Sequence, residues 1–241
     1  MQIIPIPIEK EITPDDDLSK LILNSGDILD GDVLVIAQKI ISKQEGRMIE
    51  LSTVSPSLLA QGISSQYNKD PALVELILSE SKRIVRLKNV LIIVETNSGF
   101  ICANAGIDES NVLDGFATLL PLNSDKSAEV IRTNILNKTG KNVAVIISDT
   151  FGRPFRMGQT NCAIGISGLN PILDYAGTLD SFKRILRITA IAVADELSSA
   201  TELVMGKTKK CPVAIVRNYS FKVWCNTIDD LIRPENEDLF K

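Results

Sequence analysis

Residues 142–158, N-V-A-V-I-I-S-D-T-F-G-R-P-F-R-M-G, constrain the fold of this chain more than any other stretch. Residues 143–147 are consecutively apolar and rich in β-branched side chains, the pattern of a strand buried on both faces. The sequence then turns polar: Asp149 and Thr150, then Gly152, then Arg153 and Arg156 in one short loop. A carboxylate, a hydroxyl and two guanidiniums at a strand tip form a candidate site. A capped turn carrying solvated arginines is the alternative, and these residues alone do not choose between them.

The chain has 241 residues and no histidine. That excludes Ser-His-Asp triads, Cys-His pairs and histidine-ligated zinc. Chemistry must come from carboxylates, Lys or Arg, hydroxyls, thiols or a hard, oxygen-ligated cation. The net charge of −4 gives no general reason to bind nucleic acid or an anionic membrane. Cys102, Cys162, Cys211 and Cys225 form no Cys-x-x-Cys pair, so neither a disulfide framework nor a zinc site is expected. The first residues, M-Q-I-I-P-I-P-I-E-K, lack a basic region and are broken by Pro5 and Pro7, unlike a signal peptide. No apolar run approaches the roughly 20 residues of a membrane helix. A cytoplasmic protein is the expectation.

In chain order, residues 2–8 form an edge strand, because prolines would break a central one. Thr13-Pro14-Asp15-Asp16 starts a helix that runs to Ser25 and ends at Gly26. Asp30-Gly31-Asp32 is a turn before a buried strand over 33–37. Beyond it, Q-K-I-I-S-K-Q-E-G-R places Gln38, Lys39, Lys43 and Arg47 either as a phosphate clamp or as a solvated loop. Helices are predicted over 57–67 and 72–83, the second capped by Asp70-Pro71, and strands over 83–87, 90–96 and 100–104. A second polar concentration follows in residues 104–111, N-A-G-I-D-E-S-N. Asp108, Glu109 and Asn111 offer oxygen ligands there, and an Asx turn fits the same residues. A helix over 125–138 leads to the central strand. Then come a strand over 162–167, a helix from about Ile188 to Met205, a strand over 212–216 and a charged helical tail from Asp229. The sum is a mixed α/β fold, in one body or two lobes.

Gly206-Lys207-Thr208 is not a P-loop: Thr201 stands where its first glycine should be, and a helix precedes it. Gly165-Ile166-Ser167-Gly168 lacks the spacing of a dinucleotide fingerprint. If the segments carrying Asp108 and Asp149 converge, they make a site for Mg²⁺ or Mn²⁺, to which Thr150 adds a hydroxyl. Lys39, Lys43, Arg153 and Arg156 would then neutralise a phosphate chain during metal-assisted phosphoryl transfer.

Four motifs, D-G-D-V-L-V-I-A-Q-K-I-I-S-K-Q-E-G-R, N-A-G-I-D-E-S-N, S-D-T-F-G-R-P-F-R-M-G and A-I-G-I-S-G, in this order and spacing closely resemble the coenzyme F420-0:γ-glutamyl ligase family. The likeness runs from Pro5 to about Arg217. It is to the stand-alone archaeal form, a single catalytic unit over 1–241, without the nitroreductase-like domain fused in actinobacterial relatives. The resemblance implies a GTP-dependent ligase that joins L-glutamate to the carboxylate of F420-0, giving a γ-linked tail, in an intertwined homodimer. It implies a divalent metal at Asp108, Asp149 and Thr150, with K⁺ as a further ion. Nucleotide contacts would fall on Glu9, Lys10, Glu11, Ile12, Gln38, Lys39, Lys43, Asn111, Met205, Gly206, Lys207 and Thr208. One departure stands out. Relatives place an acidic or amide ligand directly after Met-Gly, where this chain has Lys207, whose ammonium cannot ligate a cation. Either a second metal is missing or replaced by water, or Lys207 contacts phosphate. Two other classes remain beside the ligase: a metal-dependent phosphohydrolase using the same carboxylates, and a binding module whose polar loops are only turns.

Overall fold

The structure is a computed structural model that describes residues 1–238. Its elements begin with β1 (Gln2–Ile6), α1 (Leu18–Ser25), β2 (Val33–Ala37), α2 (Gln38–Gln44) and β3 (Met48–Glu50). Next come α3 (Leu58–Tyr67), α4 (Pro71–Ser79), β4 (Ser81–Lys88), β5 (Leu91–Thr96), β6 (Ile101–Ala103) and β7 (Phe116–Thr118). The chain then forms α5 (Ser124–Thr139), β8 (Ala144–Gly152), β9 (Gln159–Ser167), β10 (Leu173–Asp174), β11 (Ala190–Ile191), α6 (Val193–Met205) and β12 (Val213–Arg217).

The apolar run lies at the heart of a five-stranded sheet of order β1-β12-β2-β8-β9. Only β2 and β8 pair in parallel, with Val35 opposite Ile146. Successive side chains of a strand leave on opposite faces, and here both faces are covered. Leu34, Ile36, Val145 and Ile147 pack with Ile22 of α1 and Ala128, Ile131 and Ile135 of α5. Val33, Val35, Ala144 and Ile146 pack instead with Ala194 and Leu197 of α6. A third apolar cluster gathers Ala60, Leu73, Ile77, Ile92, Val94 and Leu119 from α3, α4, β5 and the segment after β7. Pro5 sits in β1 at the sheet edge, where its missing N–H costs no ladder bond.

Several boundaries differ from the sequence expectation. Helix α1 is capped by Asp17, which accepts from the Lys20 N–H at 3.0 Å, rather than started by Thr13. Thr13 forms a separate turn with Asp16. Helix α4 stops at Ser79, because residues from Ser81 onward pair with β5 and the sheet overrides local helical preference. The helical spacing of Ile188 is accidental: Ala190 and Ile191 pair with β10, and α6 begins at Val193. From Asp229 the described chain forms single 3₁₀ turns at Ile228–Leu231 and Glu235–Glu237, and the expected frayed end at 239–241 lies outside the described residues. Strands β3 and β7 join residues far apart in sequence, and neither is legible locally.

The β8–β9 hairpin carries a bulge. Ile147 faces Gly165 while Ser148 faces Ala163, which leaves Ile164 as the extra residue. At Gly165 the sheet meets the N-terminal turn of α5, and an added Cβ would lie 2.4 Å from Ser124 Cβ and 2.5 Å from its carbonyl carbon. Asp125 reinforces the same junction by accepting the Ile166 and Ile228 N–H groups at 2.7 and 3.0 Å. Gly165→Ala is therefore expected to cost about 2–3 kcal/mol by forcing α5 off the sheet. Urea unfolding measures this, and an unchanged midpoint would contradict the close approach.

Candidate active site

Strand β8 does not end where its sequence turns polar. Asp149 and Thr150 are still paired with β9, opposite Cys162 and Asn161, and the turn occupies residues 153–158. As neighbours in an extended strand, Asp149 and Thr150 send their side chains to opposite faces. Thr150 Oγ1 donates to Asn161 Oδ1 at 2.7 Å and accepts from Lys207 Nζ. Lys207 is brought there by the end of α6, where Gly206 takes φ 60° and turns the chain.

Asp108 reaches the site by a different route. A tight turn over Asn104–Gly106, with Ala105 at φ 55° and Gly106 at φ 70°, precedes it. Gly106 is required there, since a Cβ would lie 2.7 Å from Leu120 Cγ. Asp108 then pairs with Thr118: its N–H donates to the Thr118 carbonyl at 3.1 Å and its carbonyl accepts the Thr118 N–H at 2.9 Å. Its carboxylate accepts the Ser110 N–H at 2.7 Å and the Ser110 hydroxyl at 2.8 Å. The Asx turn and the ligand-bearing loop are thus one structure.

The basic run after β2 is helix α2, not a solvated loop. Lys39 and Lys43 lie one turn apart on it, and both reach the 108–111 segment. Lys39 Nζ donates to Asp108 Oδ2 at 2.7 Å and to the Ser110 carbonyl at 2.6 Å. Lys43, 7% exposed, donates to the Asn111 carbonyl at 3.0 Å and pairs with Glu11. Gln38 is buried and accepts from Ser42 Oγ within α2. Arg47 turns elsewhere, to Glu80 and the Leu120 carbonyl.

The two carboxylates share one electrostatic environment. Burial pushes Asp149 up to about 6 and the Asp108 charge adds to this, while the Thr150 N–H and the Lys207 and Lys39 ammoniums pull it down. Burial would raise Asp108 also, but hydrogen bonds from Lys39 and the Ser110 N–H outweigh it and hold the carboxyl below its ordinary value. Both are ionised at neutral pH. Among the described residues no three His, Cys, Asp or Glu side chains gather in a metal-binding group. The donor set is instead two carboxylates, with the Thr150 hydroxyl and the Asn161 amide oxygen on the other face of β8. Such hard oxygen donors fit a divalent cation that completes its shell with water or substrate oxygens.

Fewer contacts tie the remaining residues singled out in the sequence to this centre. The Ile8 N–H donates to the Lys210 carbonyl at 3.0 Å, which places the segment of Glu9, Lys10, Glu11 and Ile12 beside the one holding Met205, Gly206, Lys207 and Thr208. Lys10 pairs with Asp16, and Glu9 and Thr208 are exposed. Arg153 Nη2 donates to the Met157 carbonyl at 2.8 Å inside its own loop, and Arg156 is exposed. No hydrogen bond among the described residues joins either arginine to Asp108 or Asp149. Asn161 escapes sequence reasoning, and Ser110 lies in the 104–111 concentration without a role assigned to it there. Asn161 has one signal, an amide at the head of the apolar run C-A-I-G-I.

No helix among the described residues is long and apolar enough to cross a membrane. A family model described as F420-0:Gamma-glutamyl ligase matches residues 8–218. The coenzyme F420:L-glutamate ligase of Methanothermobacter thermautotrophicus strain Delta H is 48% identical over 237 residues, 94% of this chain and 93% of the relative. The proteins of that name from Methanocaldococcus jannaschii and Methanopyrus kandleri are 46% and 43% identical, over 89% and 90% of this chain and 86% of each relative. Fold and likeness together define an enzyme of the ligase class. The chain belongs to the F420-0:gamma-glutamyl ligase family.

Proposed function

We propose that this chain joins L-glutamate through an amide bond to the carboxylate of coenzyme F420-0, and to F420-1 if that product re-enters, consuming GTP and releasing GDP and phosphate. The supporting observation is the Asp108–Asp149 pair flanked by Lys39, Lys43 and Lys207, in a chain of this family.

A carboxylate oxygen is a poor leaving group toward an amine. Transfer of the γ-phosphoryl of GTP to that oxygen breaks the bond to GDP and makes an acyl phosphate, whose phosphate leaves readily. The glutamate amine attacks the carbonyl carbon, the carbon–oxygen bond to phosphate breaks, and the amine proton passes to a carboxylate, a phosphate oxygen or water, since no histidine exists to take it. Asp108 and Asp149, with Thr150 bordering the site, would hold a divalent Mg²⁺ or Mn²⁺, which would supply charge stabilisation to the phosphoryl group. Lys39 positions Asp108, and Lys43 with Asn111 and Gln38 forms the floor of the nucleotide site. Glu9, Lys10, Glu11 and Ile12 face the Met205–Thr208 segment across it. Arg153 and Arg156 supply anion contacts from the 153–158 loop, and K⁺ is a further ion of this reading.

The homodimer belongs to the same proposal. The arm between β10 and β11 exposes Phe182 at 81% and Ile188 at 95%, far more apolar surface than a free hairpin should leave in water. Release of GDP is expected to require F420-0 and glutamate together. Phosphate release indifferent to both acceptors would favour a phosphohydrolase built on the same carboxylates.

A further inference from the structure

Lys207 is an exposed residue whose ammonium is turned back onto the β8–β9 hairpin. Its Nζ donates to Thr150 Oγ1 and lies 3.4 Å from Asn161 Oδ1. Thr150 and Asn161 are register partners, so the backbone ladder fixes the spacing of their oxygens. Asn161 is buried, its carbonyl accepts from Ser199 Oγ of α6 at 2.7 Å, and its amide oxygen also takes the Thr150 hydroxyl proton. Both side-chain oxygens therefore turn toward the ammonium, on the face of β8 opposite Asp149. Oxygens presented in this way, next in the strand to the half-buried Asp149 carboxylate, call for a cation.

We propose that the Lys207 ammonium is a built-in cation occupying the Thr150–Asn161 oxygens, where a second divalent ion would otherwise bind, so that the site takes one divalent ion per chain, at Asp108 and Asp149. This rests on the reading of those two carboxylates as a divalent-cation site. A metal ion at Thr150 would meet the ammonium at contact distance, and two cations that close repel each other. The end of α6 sets where the Lys207 backbone stands, so a positive group lies on the hairpin before any ion binds. Thr150 then serves the ammonium rather than the metal.

The test counts Mn²⁺ bound to the purified full-length protein, without nucleotide, from the electron paramagnetic resonance signal of free Mn²⁺. One ion per chain is expected for the wild type and two for Lys207→Glu, which exchanges the ammonium for a carboxylate beside Thr150 and Asn161. Adding Asn161→Ala to Lys207→Glu is expected to return the count to one. Lys207→Gln, which removes the charge alone, is expected to bind its Mn²⁺ several-fold more tightly than the wild type. Unfolding transitions recorded on each variant ensure that counts come from folded protein. Two ions on the wild type, a single ion on Lys207→Glu, or an unchanged affinity in Lys207→Gln would overturn the built-in cation alone. No Mn²⁺ on either the wild type or Lys207→Glu would instead remove the divalent site and the inference with it.

Discussion

Asp149→Asn is expected to lower kcat for glutamate ligation by about a thousandfold or more, while making the metal-free protein more stable at neutral pH. Both effects come from the same burial. Asp149 sits in β8 with its carboxyl pushed up to about 6, first by burial and then by the Asp108 charge. A carboxyl whose folded value lies above its unfolded value favours the fold most fully at low pH, and loses that advantage as pH rises through the folded value. Above about 6 the fold therefore holds a charge it would shed, at a cost of up to about 3 kcal/mol. Asparagine removes that cost. The variant's gain in Tm, about 5–10 °C for a chain of this size, should be largest near pH 8 and vanish below about pH 4, where the wild-type carboxyl is protonated. A lower Tm at pH 8, or near-normal ligation, would remove Asp149 from the centre of the site.

Val145→Asp is the second large effect. Val145 is fully buried in β8, between Leu34 of β2 and Ser167 of β9, and packs into the cluster shared with α1 and α5. The side chains of that cluster are apolar, so an aspartate there would be a poorly compensated buried charge costing about 4 kcal/mol or more. Against a total of about 5–15 kcal/mol for a domain, most of the molecules would unfold or aggregate near room temperature. Thermal unfolding by circular dichroism should show a transition far below that of the wild type, with partial recovery at acid pH. A wild-type transition would contradict the two-faced burial of this strand.

Much of the architecture is legible in the residues. V-A-V-I-I has no stable place except a covered strand, and Asp70-Pro71 marks its helix start correctly. Ends of elements are harder to read, because partners decide them. D-T-F-G looks like a turn, yet hydrogen bonds to β9 carry β8 on through Gly152. In the same way β4 takes residues that local preference would give to α4. The candidate site shows the limit most plainly. Asp108, Asp149, Lys39 and Lys43 stand out by type, but their convergence depends on the Asp108–Thr118 bridge and on α2 being a helix, both set by contacts distant in sequence. Asn161 stays hidden because its role comes from the register of a bulged hairpin. That register also separates Thr150 from Asp149, although the two are adjacent in the chain.

Amide formation through an acyl phosphate at the Asp108–Asp149 site decides the proposed function. It is tested most directly by mass spectrometry of the products formed from GTP, L-glutamate and F420-0 labelled with heavy oxygen in its carboxylate. A product heavier by one glutamyl residue is expected, with one heavy oxygen carried into the released phosphate. Unmodified F420-0 beside GDP and unlabelled phosphate would contradict it.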